Sequence, residues 1–278
     1  DFANQSVNLA VGVEGGGSGR QPGSSFKPFA IAAALREGYS AEARMTVPGS
    51  AAFNLSDYGA GGGTWRVSGG GGNYNMMTAL PHSSNMFFAT LMLKLGAHNV
   101  IQTAEQMGIT AELPEVPSIV LGAGEVSPLD MASAYSTFMN HGTHYEPQVI
   151  TRVEDADGNV IWSAPEEGQQ VLTPEIADIT TTAMRGVVTN GTATRARLDG
   201  VDVAGKTGTT QNNKDAWFVG FRCNFVASVW MGYPGFDGQP VLPMNSVHGE
   251  RQEGGRLPAR MWHDFMTRVG QEGLLNPN

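Results

Sequence analysis

The sequence predicts an α+β domain: an antiparallel sheet flanked by helices, with a helical subdomain. Three observations carry this. Helical patterns dominate as far as Gly142, short alternating runs separated by turns follow, and one more helical run closes the chain. That order fits a sheet packed against helices rather than a regular βαβ wind. The composition, with 41% hydrophobic and 15% charged residues among 278, is globular. A chain of this length buries roughly three quarters of its unfolded surface without needing crosslinks.

Taken in order, residues 11–23 read as a flexible glycine-rich loop. A helix follows in "SSFKPFAIAAALREG", stopped at Gly38, with Pro28 tolerated in its first turn where N–H groups lack partners anyway. Residues 39–75 carry little regular signal, and "GAGGGTWRVSGGGG" (59–72) reads as a long mobile loop. From Met76 the pattern is helical: "MMTAL", a break at Pro81, "SSNMFFATLMLKLG", then "NVIQTAEQMG". "SPLDMASAYSTFMNHG" is a helix with Ser127 as N-cap, Pro128 first and Gly142 as its stop. "QVITRVEDADGNVIWS" is a hairpin turning at Asp157-Gly158, and Pro174 opens another helix. "VDVAGKTGTT", "DAWFVGFR" and "FVASVWMGY" are three strands, and "LPARMWHDFMTRVGQEG" is the closing helix. No internal repeat is visible.

The formal net charge of −9 disfavours a nucleic-acid partner, since no basic excess exists to displace phosphate counterions. One cysteine, Cys223, excludes an intrachain disulfide and a cysteine zinc cluster, and its apolar surroundings predict a buried small hydrophobe. No apolar run reaches the roughly 18 residues of a membrane span. The chain opens on Asp1 without a visible signal peptide, which reads as a fragment or processed form. Glycine is 37 of 278 residues, about twice the usual ~7%.

Chemistry has few places to sit. The four lysines are Lys27, Lys94, Lys206 and Lys214. Lys27 completes the single Ser-x-x-Lys, Ser24 to Lys27, which puts both side chains on one helix face with Cβ atoms about 5–6 Å apart. A neutral lysine there could take the serine proton; an N-cap serine beside a solvated lysine would look the same. Ser-x-Asn occurs at Ser6-Val7-Asn8 and at Ser83-Ser84-Asn85. The second follows Pro81 and opens the most apolar helix, an end that can be aimed into a cleft. Lys206-Thr207-Gly208-Thr209 ends a strand-like run and offers an ammonium, two hydroxyls and open N–H groups, a set suited to a carboxylate and an oxyanion. "GVDVAGKT" (200–207) also matches a phosphate loop. That loop needs a strand before it and a helix after it, and here a turn precedes and polar turn residues follow. His141 and His144 read as helix-end residues rather than metal ligands, so neither a metal nor a cofactor is expected.

Ser-x-x-Lys, Ser-x-Asn and Lys-Thr-Gly in this order are a joint signature. With "GRQPGSSFKPF", "LGAGEVSPLDMASAYSTFMNHG", "VVTNGTATRA", "VAGKTGTTQNNKDAWFVGF" and "PARMWHDFM", nearly the whole chain resembles the transpeptidase domain of class A penicillin-binding proteins. The resemblance implies a penicillin-binding/serine β-lactamase-like fold over residues 1–278. The usual N-terminal strand hairpin and the preceding glycosyltransferase domain are absent before Asp1. It implies Ser24 as the acylated nucleophile, Lys27 as its base, Ser83 as the hydroxyl relaying the proton to the leaving amine and Lys206 as the electrostatic partner. Asn85 would hold the substrate amide, Thr207 and Thr209 its carboxylate, and the N–H groups of Ser24 and Thr209 an oxyanion, with Gly208 completing the binding strand. The implied reaction is crosslinking of peptidoglycan stem peptides that end in D-Ala-D-Ala. β-Lactams would be inhibitors, and the location would be the outer face of the bacterial cytoplasmic membrane, with attachment through a segment outside this chain. The alternatives are a D,D-carboxypeptidase or β-lactam hydrolase on the same scaffold, which would need a positioned water, and a β-lactam sensor without turnover. The resemblance does not explain His82, beside Ser83.

Overall fold

The computed structural model describes residues 7–235 and 240–274. Asp1 and the alternative Ser6-Val7-Asn8 triplet's serine lie outside the described residues. The helices are α1 Lys27–Arg36, α2 Met76–His82, α3 Asn85–Leu95, α4 Ala97–Gln106, α5 Pro128–Met139, α6 Pro174–Thr189 and α7 Leu257–Gln271. The strands are β1 Met45–Val47, β2 Ser50–Asn54, β3 Thr64–Ser68, β4 Gly72–Tyr74, β5 Thr143–His144, β6 Arg152–Glu154, β7 Val160–Ser163, β8 Gln169–Gln170, β9 Ala204–Thr209, β10 Asp215–Arg222 and β11 Phe225–Gly232.

The central sheet is antiparallel, in the order β11-β10-β9. Residues 215–221 of β10 are buried at every position, so both of its faces are covered. Phe218 meets Trp262 of α7 edge-on at 5.4 Å, and the Trp262 indole donates to the Gly220 carbonyl at 3.1 Å. Helix α5 packs on β10 and β11, and α6 packs on β9. Helix α1 is buried from Lys27 to Ala34; every residue between Lys27 and Arg36 is apolar, and a helix apolar all round has to be buried. Its Phe29 stacks on Phe138 and meets Tyr135 edge-on, and the Tyr135 hydroxyl donates to the Ser25 carbonyl at 2.6 Å. The turn that carries Ser24 is thereby fixed from below. The α+β class and the sheet-against-helices architecture are as the sequence predicts.

Four readings are corrected. Residues 39–75 are not structureless: β1 pairs with β4 and β2 with β3, so 45–74 forms two nested antiparallel pairs. The glycines serve close approach as well as turning; a Cβ on Gly70 would lie 2.6 Å from the Ser84 Cα. Pro81 does not end its helix, because α2 runs to His82. Ser84, not Ser83, then caps α3, its hydroxyl accepting from Phe87 N–H. Cys223 is exposed, since it occupies the two-residue turn between β10 and β11 with φ of 49°; hydrophobic flanks on both sides concealed the turn. The rejection of the phosphate loop, by contrast, holds: Lys206 and Thr207 lie inside β9 and β10 follows after one short 3-10 turn.

One ion pair ties the segment before Ser24 to the sheet. Arg20 Nε donates to Asp215 Oδ1 at 2.8 Å, with both side chains nearly buried. Asp215 also accepts from the Trp230 indole at 3.1 Å and from the Thr210 hydroxyl at 2.9 Å. Removing one member of a buried pair leaves an uncompensated charge, which costs about 3–5 kcal/mol. Asp215→Ala should lose that much in urea unfolding, and Arg20→Met/Asp215→Leu should regain a large part of it. A single-variant loss under ~1 kcal/mol would match an exposed pair instead.

Candidate active site

The cleft is built where three segments meet. The first is the 3-10 turn Gly23–Phe26, which runs directly into α1. Residues three apart eclipse in such a turn, so Ser24 and Lys27 fall on one side. The second is the junction of α2 and α3, where Ser83 is held at φ of 54° between a helix end and a helix start. A non-glycine residue in this region is strained, and it persists because α2 and α3 fix both neighbours. The third is β9, carrying Lys206, Thr207, Gly208 and Thr209.

Glycine lets the first and third segments touch. A Cβ on Gly208 would lie 2.0 Å from the Pro22 carbonyl oxygen, and one on Gly23 would lie 2.7 Å from the Thr209 carbonyl oxygen. Neither position has room for a side chain. The Trp217 indole adds a hydrogen bond to the Gln21 carbonyl at 2.8 Å.

The polar groups converge on Ser83. Lys27 Nζ donates to the Ser83 carbonyl at 2.8 Å and to Asn85 Oδ1 at 2.8 Å, and lies 3.2 Å from Ser83 Oγ. Lys206 Nζ donates to the same Oγ at 3.0 Å, and to the Thr207 carbonyl and hydroxyl at 3.0 and 3.2 Å. Asn85 turns its amide nitrogen to the Ser68 carbonyl at 3.1 Å, tying β3 to the cleft. The Thr207 and Thr192 hydroxyls are 2.7 Å apart. Thr209 Oγ1 accepts from Gly254 N–H at 3.1 Å. The Ser24 hydroxyl has no hydrogen-bond partner among the described residues and is half-buried at the cleft.

Two cavities open at Ser24, and both are also lined by Asn85 and Thr209. One, of about 440 Å³, adds Ser83, Thr192, Thr207, Arg195 and Arg256. The other, of about 550 Å³, adds Trp65, Arg66, Gln21 and Gln211. A larger cavity, about 670 Å³, lies elsewhere, between the end of α1 and α6.

Both lysines are fully buried, and neither forms an ion pair with a carboxylate among the described residues. Burial holds the Lys27 ammonium well below the usual lysine value, and the nearby Lys206 charge pushes it further in that direction. Burial brings Lys206 down to about 7. Desolvation disfavours the charged form of an amine, and so does a like charge beside it.

The sequence-predicted residues Ser24, Lys27, Ser83, Asn85, Lys206, Thr207, Gly208 and Thr209 therefore lie together. Thr192, Arg195, Arg256 and Glu253 join them from segments the motif logic left unassigned. Thr192 and Arg195 sit in "NGTATRA", whose polar residues could have marked a cleft wall; Arg256 offers no sequence signal. His82 Nδ1 donates to the Thr78 carbonyl at 2.9 Å, and its ring packs on Tyr74 outside this network. No cluster of three metal-ligating side chains occurs among the described residues.

Comparison with known proteins places this fold. Residues 18–233 match the family model of the penicillin binding protein transpeptidase domain. The chain is 36% identical over 277 residues to penicillin-binding protein 1A of Neisseria gonorrhoeae, covering 96% of this chain and 33% of that protein. It is 32% identical over 254 residues to penicillin-binding protein 1A of Aquifex aeolicus, covering 90% and 33%. Among solved structures, PonA1 of Mycobacterium tuberculosis in complex with penicillin V superposes with a TM-score of 0.75 at 31% identity, over 90% of this chain and 69% of that one. The penicillin-binding protein 1A structure from Haemophilus influenzae, at 23% identity and a TM-score of 0.79, shares the fold over 98% of this chain and 45% of that one. The molecule thus has the penicillin-binding fold. More specifically, the chain belongs to the transpeptidase domain family of the penicillin-binding proteins. It spans about a third of the length of the curated relatives it matches.

The two depressed lysines give a stability signature. Each binds its proton more readily in the unfolded chain, so the unfolded state carries more protons between the folded value and the ordinary ~10.4. Stability contributed by this pair rises with pH across that window, from about 7 upward for Lys206, and falls as pH is lowered. The Lys27→Met/Lys206→Met variant should lose this rise when unfolding free energies are measured from pH 6 to 9. Parallel pH profiles for parent and variant would mean that the lysines are not desolvated.

Proposed function

We propose that this domain is a D,D-transpeptidase that works through an acyl-serine intermediate on Ser24. The observation that carries the reading is the shared Ser83 hydroxyl, 3.2 Å from Lys27 Nζ and 3.0 Å from Lys206 Nζ, lining the same cavity as Ser24. A neutral Lys27 has two N–H groups, and two strong acceptors, the Ser83 carbonyl and Asn85 Oδ1, hold them. Its lone pair is then left for a hydroxyl proton. Ser24, whose hydroxyl has no partner, is the group from which that proton comes.

In this reading Ser24 Oγ attacks the carbonyl between the two D-alanines of a stem peptide. Its proton passes to Lys27, and the hydroxyl of Ser83 delivers a proton to the departing amine of the terminal D-alanine. An amine of a second stem peptide then takes the acyl group and frees Ser24. The terminal carboxylate lies toward Thr207, Thr209 and the cationic wall of Lys206, Arg195 and Arg256. The backbone N–H groups of Ser24 and Thr209 hold the oxyanion, an arrangement supported by the contact of Gly23 with the Thr209 backbone. Residues 1–278 act as one such domain, on the outer face of the bacterial cytoplasmic membrane, where stem peptides are found. β-Lactams acylate the same serine.

Hydrolysis of the acyl-enzyme would need a carboxylate to activate water. Glu253 lines the cleft, and its carboxylate lies 3.4 Å from Arg251 Nε. Intact mass after penicillin, followed over hours, separates a lasting acyl-enzyme from hydrolysis.

Benzylpenicillin should add one covalent label, mapped by peptide mass to Ser24, and Ser24→Ala should abolish it. Loss of a general base typically costs about 10²–10⁴-fold in rate. Lys27→Ala should slow labelling by about that much, while exposed Lys94→Ala should label at the parent rate. Equal rates for the two lysine variants would remove Lys27 as the base.

A further inference from the structure

The cavity on the Trp65 side of Ser24 carries a charge that the reaction itself does not use. Arg66 lines it, is exposed, and forms no ion pair and no side-chain hydrogen bond among the described residues. No aspartate or glutamate lines this cavity, in a chain whose net charge is −9. An unpaired guanidinium in such a setting is left to water or to a ligand's acceptor groups, among which a carboxylate binds it most strongly.

Its distance from the reacting serine is set by the strand. Asn85 binds the Ser68 carbonyl, which pins the end of β3 to the cleft. Arg66 is two residues earlier on the same face of β3, about 7 Å along the strand. Both Asn85 and Ser24 line the cavity with it. Thr209 lines both cavities, but Thr207, Arg195 and Arg256 line only the opposite one, so on that reading the terminal carboxylate of an acyl donor goes there. The rest of the donor, on the acyl side of the scissile bond, must leave past Asn85 toward Trp65 and Arg66.

We infer that Arg66 is a specificity-determining residue that selects acyl donors bearing a free carboxylate on the acyl side, within a residue or two of the scissile bond, over the uncharged or amidated form. This rests on the acyl-serine reading given above. The planar guanidinium suits bidentate contact with such a carboxylate. The exposed edge keeps the contact modest and salt-sensitive, in line with partly solvated ion pairs.

Two penicillins isolate the effect. Carbenicillin differs from benzylpenicillin by one carboxylate on the acyl side chain, so the ratio of their acylation efficiencies reads that contact alone. An exposed charge pair is worth up to ~1 kcal/mol, or about fivefold. Arg66→Gln should lower the carbenicillin-to-benzylpenicillin ratio by about fivefold, with the change in the binding constant rather than in the acylation step. Arg66→Glu should lower it further, and Arg66→Lys should restore part of it. The parent's ratio should fall with added salt and that of Arg66→Gln should not. Thermal melts confirm that each variant is folded. Ratios that stay the same across Arg66→Gln, Arg66→Glu and Arg66→Lys, with Ser24 still acylated, overturn the inference and leave the acyl-serine reading standing. A parent protein that neither penicillin acylates at Ser24 overturns that reading itself.

Discussion

Two lysines share one serine hydroxyl in a buried pocket where neither has a carboxylate partner. Everything else at the site follows from that constraint. Two adjacent buried ammonium groups repel each other and lose their hydration, so the pair sheds protons at a pH where exposed lysines keep theirs. Lys27 is pushed further, because it feels Lys206 as well as burial. On the proposed acyl-serine reading, this makes a base of a residue that is ordinarily an acid. It does so without a histidine: the six in the chain lie outside this network.

Such a pocket has to be dry and narrow, and the packing around it explains how. Apolar α1 and α3 bury Lys27 beneath Phe88, whose ring centroid is 5.5 Å from Nζ. Strand β9 buries Lys206 against β10, opposite Val219. The wall between the serine turn and β9 is two backbones in contact, which is why glycine stands at 23 and 208. The Arg20–Asp215 pair and the Trp217 indole then hold the turn in register with the sheet. Stability and chemistry are coupled here: the same contacts that make the core continuous also fix the gap between Ser24 and Thr209.

Much of this was legible in the sequence. The α+β class followed from the order of patterns, and the motifs could be named because their residue types are rare in this chain; four lysines leave few combinations. What was not legible depends on long-range contact. Glycine-rich 45–74 looked like loop because its strands are short and pair with each other across a nested hairpin. Cys223 looked buried because its two-residue turn with Asn224 is short and is set between the long apolar runs of β10 and β11. Ser83 looked like a helix start because proline usually ends a helix, whereas here Pro81 lies inside α2. Arg66 and Arg256 carry no motif, and only the fold brings them to the cleft; Thr192 and Arg195 lie in a segment that carried the resemblance but no assigned role. Thr209 shows a further limit: its hydroxyl already accepts a bond from Gly254 N–H, which the strand pattern could not indicate.

The central claim is that Lys27 is neutral in the folded protein because of burial and of Lys206. The most direct measurement is a titration of the protein with lysine side chains labelled by carbon-13 at Cε, the Lys27 signal being assigned from a Lys27→Arg variant. The account predicts that Lys27 titrates well below the ordinary ~10.4 and moves back upward when Lys206 is replaced by methionine. A Lys27 signal that titrates at the ordinary value in the folded protein, and is unmoved by Lys206→Met, would contradict it.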